Sequence, residues 1–278
     1  VYGKTQKEVA TKLREATANI DRGTYQEPSQ ITIAAYAQEY FSICAVNLAH
    51  STQVTYQKIL ENHILPALGK VKLTDLTHRQ VQQFVTSLSV KKKLSAKTVR
   101  NIHGILHNML ESAIRDELLL RNVSERCSLP RVTQHQVRAI TTAELSRFLQ
   151  ANDGKQFRNI FFIDIFSGLR LSEILGLRWE DVDFDHDCIY VRQQLQQKQV
   201  KGDFGYFLAP PKEGKQRKVI LAQNAMQVLR HQRAKQNEQQ LAAGALWDNS
   251  FHLVFTNDFG QPLNRRTVYK HLKRILLD

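Results

Sequence analysis

Hydrophobic positions recur every three or four residues through the first half of the chain, while short apolar alternations are confined to the second half. From Ile31 to about Ser128 this pattern predicts four helices with short connections. The first spans 32–48 and carries Ile33, Ala34, Tyr36, Ala37, Tyr40, Phe41 and Cys44 on one face. Ser51 is placed to cap the second, which is expected to reach Ile64 before Pro66 and Gly69 stop it. Thr77 and Gln80 make a capping box for a third helix ending near Leu88. Ser95 caps a long fourth, along which Val99, Ile102, Leu106, Met109 and Ala113 face one side. A charged helix over residues 3–25, closed by Gly23, precedes all four.

Residues 126–141 break the periodicity around Pro130, and a second capping box at Thr141 and Glu144 opens the next helix. The expected layout is therefore a leading helix at 1–27, a helical domain at 28–128, a linker at 129–140 and a second domain at 141–278. In that second domain Ile160–Phe166 reads as a buried helix, Ser167-Gly168 as a turn, and the residues from Leu169 to Trp179 as a second apolar helix. Strands are predicted at Cys188–Leu195, Phe204–Ala209 and Lys218–Leu221. The fold class is mainly α with a small antiparallel sheet.

Charge then narrows the function. The chain carries 39 Lys and Arg against 26 Asp and Glu, a net charge of +13 with pI near 9.7. Both halves are basic, 17 against 11 over residues 1–130 and 22 against 15 over 131–278, so a polyanion is the expected partner of each. Cys44, Cys127 and Cys188 are odd in number and widely spaced, which indicates neither a disulfide framework nor a zinc module, and a reducing cytoplasm is the expected setting. No apolar run is long enough to cross a bilayer, so no membrane partner is expected. The acidic run Glu180–Asp187 starts like a calcium loop, but its sixth position is His186 and its twelfth Arg192, so no metal is assigned to it.

Arg170 and Glu173 stand inside one of the most apolar stretches, three residues apart, where a helix makes them neighbours. An internal ion pair that stabilises the turn is one explanation. The other is an anion site, since a planar guanidinium grips two phosphate oxygens at once and stays charged when partly desolvated.

The run Ser167-Gly-Leu-Arg-Leu-Ser-Glu-Ile-Leu-Gly-Leu177 resembles the first conserved box of the tyrosine recombinases, the phage-integrase family. The resemblance implies that Arg170 binds the non-bridging oxygens of a scissile DNA phosphate and that Glu173 supports it. Pro210-Pro-Lys-Glu-Gly-Lys-Gln-Arg-Lys-Val-Ile-Leu221 is similar to the family's Lys-Thr-x-x-Ser-x-Arg-x-hydrophobic hairpin. It implies Lys212 as the general acid that protonates the departing 5′ oxygen, with Lys215 as substitute, although Glu213, Gln216 and Lys218 replace the pattern's Thr, Ser and Arg. A solvated hairpin tip is the competing explanation. Residues Ser51–Leu76 look like the family's core-binding domain, a four-helix SAM-like unit, beside a mixed α+β catalytic domain. On that basis Ser51, Thr52, Thr55 and Tyr56, together with Lys91, Lys92, Lys93, Lys97, Thr98, Arg100 and Asn101, are expected to touch DNA, hydroxyls and lysines near helix starts being suited to phosphate contact. A solvated charged face is the alternative for any one of them. Residues 3–25 look like the closing helix of an arm-binding domain.

The resemblance further implies a metal-free, cofactor-free reaction through a 3′-phosphotyrosine, duplex attachment or crossover sites as partner, a homotetramer on DNA for a full-length protein, and an excisionase or DNA-bending accessory protein. The stretch Leu253–Leu263 and the helical residues 266–277 match the approach to the family's second box, and the box itself and the tyrosine nucleophile are expected beyond Asp278. The catalytic domain is accordingly expected to be incomplete at its C-terminus, and residues 1–278 to be catalytically incompetent. The alternative is a non-catalytic integrase that occupies or regulates attachment sites.

Overall fold

The computed structural model describes residues 5–21, 30–133, 138–198 and 205–277. Gly23, the linker centre at 134–137 and the start of the strand expected at Phe204 lie outside them. The chain forms two compact units, Val1–Gln136 and Val137–Asp278.

The first unit opens with α1 (Gln6–Asp21) and continues into the expected bundle. Thr32 caps α2 (Ile33–Ala45) by accepting the Ala35 amide at 3.2 Å. Ile33, Tyr36, Ala37 and Tyr40 of that helix are buried. Ser51 is not a cap: α3 (His50–Ile59) starts one residue earlier behind Ala49, whose carbonyl accepts the Thr52 and Gln53 amides, so Ser51 lies within the first turn. Pro66 does not stop the helix either. A wide turn at Leu60–Ile64, closed by the Leu65 amide on the Leu60 carbonyl, leads into α4 (Leu65–Leu68) and removes the need for the amide that proline lacks.

The box at Thr77 and Gln80 starts α5 (His78–Val90), and Ser95 starts α6 (Ala96–Arg115). Val99, Ile102, Ile105, Leu106, Met109, Leu110 and Ala113 of α6 are buried in the core shared with α2 and α5. Thr77→Ala removes a cap from a helix that contributes Val81, Phe84, Val85 and Leu88 to this core. It is expected to lower unfolding free energy by about 1 kcal/mol, measured by chemical denaturation of the first unit.

In the second unit the box at Thr141 and Glu144 starts α7 (Thr142–Ala151). Then come α8 (Arg158–Ser167), α9 (Leu171–Leu175), β1 (Val182–Asp183) and β2 (Cys188–Val191). The single strand expected at Cys188–Leu195 is two. β2 pairs antiparallel with β1 and with β5 (Arg217–Ile220), whereas β3 (Gln194–Gln197) forms a separate hairpin with β4 (Tyr206–Ala209). Between them Arg192 and Gln193 both donate to the buried Asp181, at 3.0 and 3.2 Å, and lead the chain out of the first sheet. The long α10 (Gln223–Ala243) and then α11 (Arg265–Ile275) complete the unit. Its core joins Ile160, Ile163, Ile174 and Leu175 to Ile189, Met226, Leu229, Val254 and Val268. Among the described residues no helix is long and apolar enough to cross a membrane.

Candidate active site

The Ser167-Gly168 turn forms as expected. Gly168 ends α8 in the left-handed region at φ +61°, and the Ser167 hydroxyl accepts the Leu169 amide at 3.3 Å. Leu169 then enters the core and Arg170, in extended conformation, turns outward to precede α9.

Glu173 is buried with its side chain 1% exposed, and its two oxygens accept from four directions. The Arg170 amide donates to Oε2 at 3.0 Å and Arg170 Nη1 to Oε1 at 3.1 Å. Arg217, on β5, adds Nη1 to Oε1 at 3.2 Å and Nη2 to Oε2 at 2.7 Å, a bidentate pair. Burial pushes the Glu173 carboxyl up, but the hydrogen bonds from Arg217 and from the amide and guanidinium of Arg170 outweigh it and hold it below the usual carboxylate range.

The Arg170 side chain is 61% exposed, because the apolar neighbours pack around Glu173 while the guanidinium rests on its edge. Of its five N–H donors only one, on Nη1, has a side-chain partner among the described residues, leaving the Nε and Nη2 edge open. That edge has the geometry for two anionic oxygens.

Arg217 is the residue that sequence reasoning missed. The hairpin pattern put its arginine at position 218, yet neighbours on a strand point to opposite faces. Lys218 stands over the Tyr190 ring at 5.9 Å, and Arg217 reaches Glu173. Arg265, at the start of α11, also comes to this turn, Nη1 donating to the Ser172 hydroxyl at 3.4 Å.

Lys212 is exposed on a short turn between β4 and β5, where Glu213 and Gly214 take positive φ and Lys215 pairs with Glu213 at 3.1 Å. No described contact joins Lys212 to Glu173. A His-x-x-Arg spacing occurs in α11 at His271 and Arg274; these two bond to each other at 2.8 Å, with the His271 ring against Phe157 and Phe161. Four of the five carboxylates of the 180–187 run are taken by protein groups: Glu180 by Arg178, Asp181 by Arg178, Arg192 and Gln193, Asp183 by His186, and Asp187 by Gln223.

In the first unit Ser51, Thr55, Lys91, Lys93, Lys97 and Asn101 are exposed, and Thr52, Tyr56 and Thr98 are half-buried. The structure gives four of the expected contacts internal partners. The Thr55 hydroxyl donates to the Ser51 carbonyl at 2.8 Å, and the Thr98 and Ser95 hydroxyls bond each other at 2.8 Å. Lys92 Nζ donates to the Asn62 carbonyl at 3.1 Å, and Arg100 Nε to the Pro130 carbonyl at 2.9 Å.

These two units, helical bundle and mixed domain, carry a matching family description each. The phage integrase family model matches residues 130–278, and the N-terminal SAM-like domain of phage integrases matches 32–89. The chain belongs to the phage integrase family, the tyrosine recombinases. It is 24% identical over 291 residues to a XerC-like tyrosine recombinase of Caldanaerobacter subterraneus subsp. tengcongensis, covering 99% of this chain and 74% of the relative. To an integrase of Streptomyces ambofaciens it is 24% identical, covering 99% and 71%. Its fold is that of the Tn1549 transposon integrase solved in complex with transposon right end DNA, at TM-score 0.75 and 21% identity over 88% of this chain and 78% of that one. A lambda integrase dimer bound to a COC′ core site matches at TM-score 0.63 and 17% identity, over 88% and 77%.

Proposed function

We propose that this protein binds duplex DNA at specific sites and contributes, in the manner of a site-specific recombinase, to cleaving and rejoining it through a 3′-phosphotyrosine. The observation that carries the reading is the open Nε and Nη2 edge of Arg170, held by a buried Glu173 that Arg217 also grips. Held this way, the guanidinium needs little reorganisation to meet the charge that builds on a pentacoordinate phosphate. Lys212, exposed on the turn that leads from β4 into β5, is the acid we assign to the leaving 5′ oxygen. The exposed hydroxyls and lysines of α3 and of the start of α6 supply backbone contacts that set position without reading sequence.

No residue of 1–278 is assigned as the tyrosine nucleophile or the second arginine. A longer chain would supply them and would assemble as a tetramer on paired sites. The polypeptide of residues 1–278 is accordingly expected to bind duplex DNA and to form no covalent adduct on nicked substrate. If it alone becomes covalently attached, this assignment is wrong. In a chain that does cleave, Arg170→Ala should slow strand cleavage by about two to three orders of magnitude while DNA affinity changes little. A variant that fails to fold would instead make Arg170 a structural ion-pair partner.

A further inference from the structure

We propose that Arg265 is a further anion-binding arginine of the Arg170 site, and that it takes the backbone phosphate next to the one Arg170 takes. The inference rests on the reading of that site as a DNA phosphate site.

Arg265 is the first residue of α11, and its Nη1 reaches the Ser172 hydroxyl at 3.4 Å across the fold. Ser172 lies between Arg170 and Glu173 in the chain, so the contact brings a third guanidinium to the same turn. A long bond to a neutral hydroxyl contributes too little to explain why an arginine is held there. Glu173 cannot pair with it, because its oxygens already serve Arg170 and Arg217. The turn thus gathers three positive charges around one negative charge.

The local helix makes the charge harder to explain without a ligand. Asn264 caps α11 by accepting the Arg266 amide at 2.8 Å, and Arg265 and Arg266 both follow it in a first turn that holds no acidic residue. Cations at that end oppose the helix dipole. Elsewhere in this unit Arg158 pairs with Asp153, Arg178 with Glu180 and Asp181, and Arg192 with Asp181. Among the described residues Arg265 has no such carboxylate, as is also true of Arg147, Arg230, Arg233, Arg266 and Arg274, and of these six Arg265 is the one that reaches the Arg170 turn. An anion arriving from outside, beside the one on Arg170, satisfies the excess, and the successive phosphates of one DNA strand provide two anions at neighbouring places.

The test is a salt series of anisotropy titrations with a fluorescein-labelled duplex of mixed sequence, using the whole chain. Arg265→Ala is expected to make the slope of log K against log salt shallower by about 0.9, the value of one lost phosphate contact, and Arg265→Lys to restore it. The melting temperature of Arg265→Ala should hold or rise, since a cation leaves the positive end of a helix. An unchanged slope for Arg265→Ala, beside a shallower one for Arg170→Ala, would overturn the proposal and leave the phosphate site standing. A steep fall in melting temperature would overturn it too, by making the Ser172 contact structural. If the duplex is not bound, or neither arginine alters the slope, the reading of the site itself fails.

Discussion

Glu173→Gln is expected to destabilise the second unit by about 2–3 kcal/mol, and Glu173→Ala by more. Removing one partner of a buried ion pair costs about 3–5 kcal/mol when the other charge is left in the interior. Here the guanidiniums left behind are 61% and 38% exposed, so water takes up part of the loss and the lower figure applies. Glutamine keeps the shape and one acceptor oxygen, but its amide nitrogen then faces Arg217 donors. Both tryptophans, Trp179 and Trp247, lie in the second unit, so their fluorescence during urea unfolding reports on it directly.

The effect carries a sign in pH. Glu173 has a depressed folded value, so its stabilisation is complete above the unfolded carboxyl value, about 4.3, and is lost as pH falls through the folded one. Wild type and Glu173→Gln should therefore differ most at neutral pH and converge in acid below about pH 4. A gap that stays constant down to pH 3 or so would show that the carboxylate is not the group that matters.

The parts of this molecule that were legible in the sequence are those governed by neighbours in the chain. The boxes at Thr77 and Thr141, the Ser95 cap and the turn at Gly168 each depend on a side chain and an amide within three residues, and all four formed. The pairing of Arg170 with Glu173 is of the same kind. The Ser51 cap is the local expectation that failed, because α3 starts one residue earlier behind Ala49; the other failures depended on direction or on distance. An apolar neighbourhood says that a segment is buried, not which way one side chain leaves it, and Arg170 leaves it outward. The wide turn before Pro66 answers a missing amide by adding a residue to the ring, a choice that helical periodicity does not encode. The break at Arg192 and Gln193 depends on Asp181, eleven and twelve residues back. Arg217 meets Glu173 across 44 residues and Arg265 meets Ser172 across 93, so no local pattern marks either.

Gly176→Ala is expected to cost more than its chemistry suggests, about 3 kcal/mol, the upper end of the overpacking range. A Cβ at this position would stand 2.5 Å from the Leu195 amide nitrogen, 2.8 Å from the Gln194 carbonyl carbon and 3.0 Å from the Gln194 Cα. All three are backbone atoms of β3, so no side chain can rotate aside, and either α9 or the β3–β4 hairpin must shift. The hairpin holds Gln194 Nε2 on the Pro210 carbonyl at 2.8 Å, two residues before Lys212. The displacement therefore runs from the end of α9 into the turn that presents the assigned acid. Gly168→Ala is the control. It places alanine at φ +61° with no atom within 4 Å of the new carbon, so only backbone strain of about 1–2 kcal/mol applies. Thermal melts followed by tryptophan fluorescence should rank Gly176→Ala below Gly168→Ala, and in a cleaving chain Gly176→Ala should lose activity at temperatures where it is still folded. Equal melting temperatures would mean that β3 yields without cost, and the close approach of strand to helix would then not be what fixes the hairpin beside the Arg170 turn.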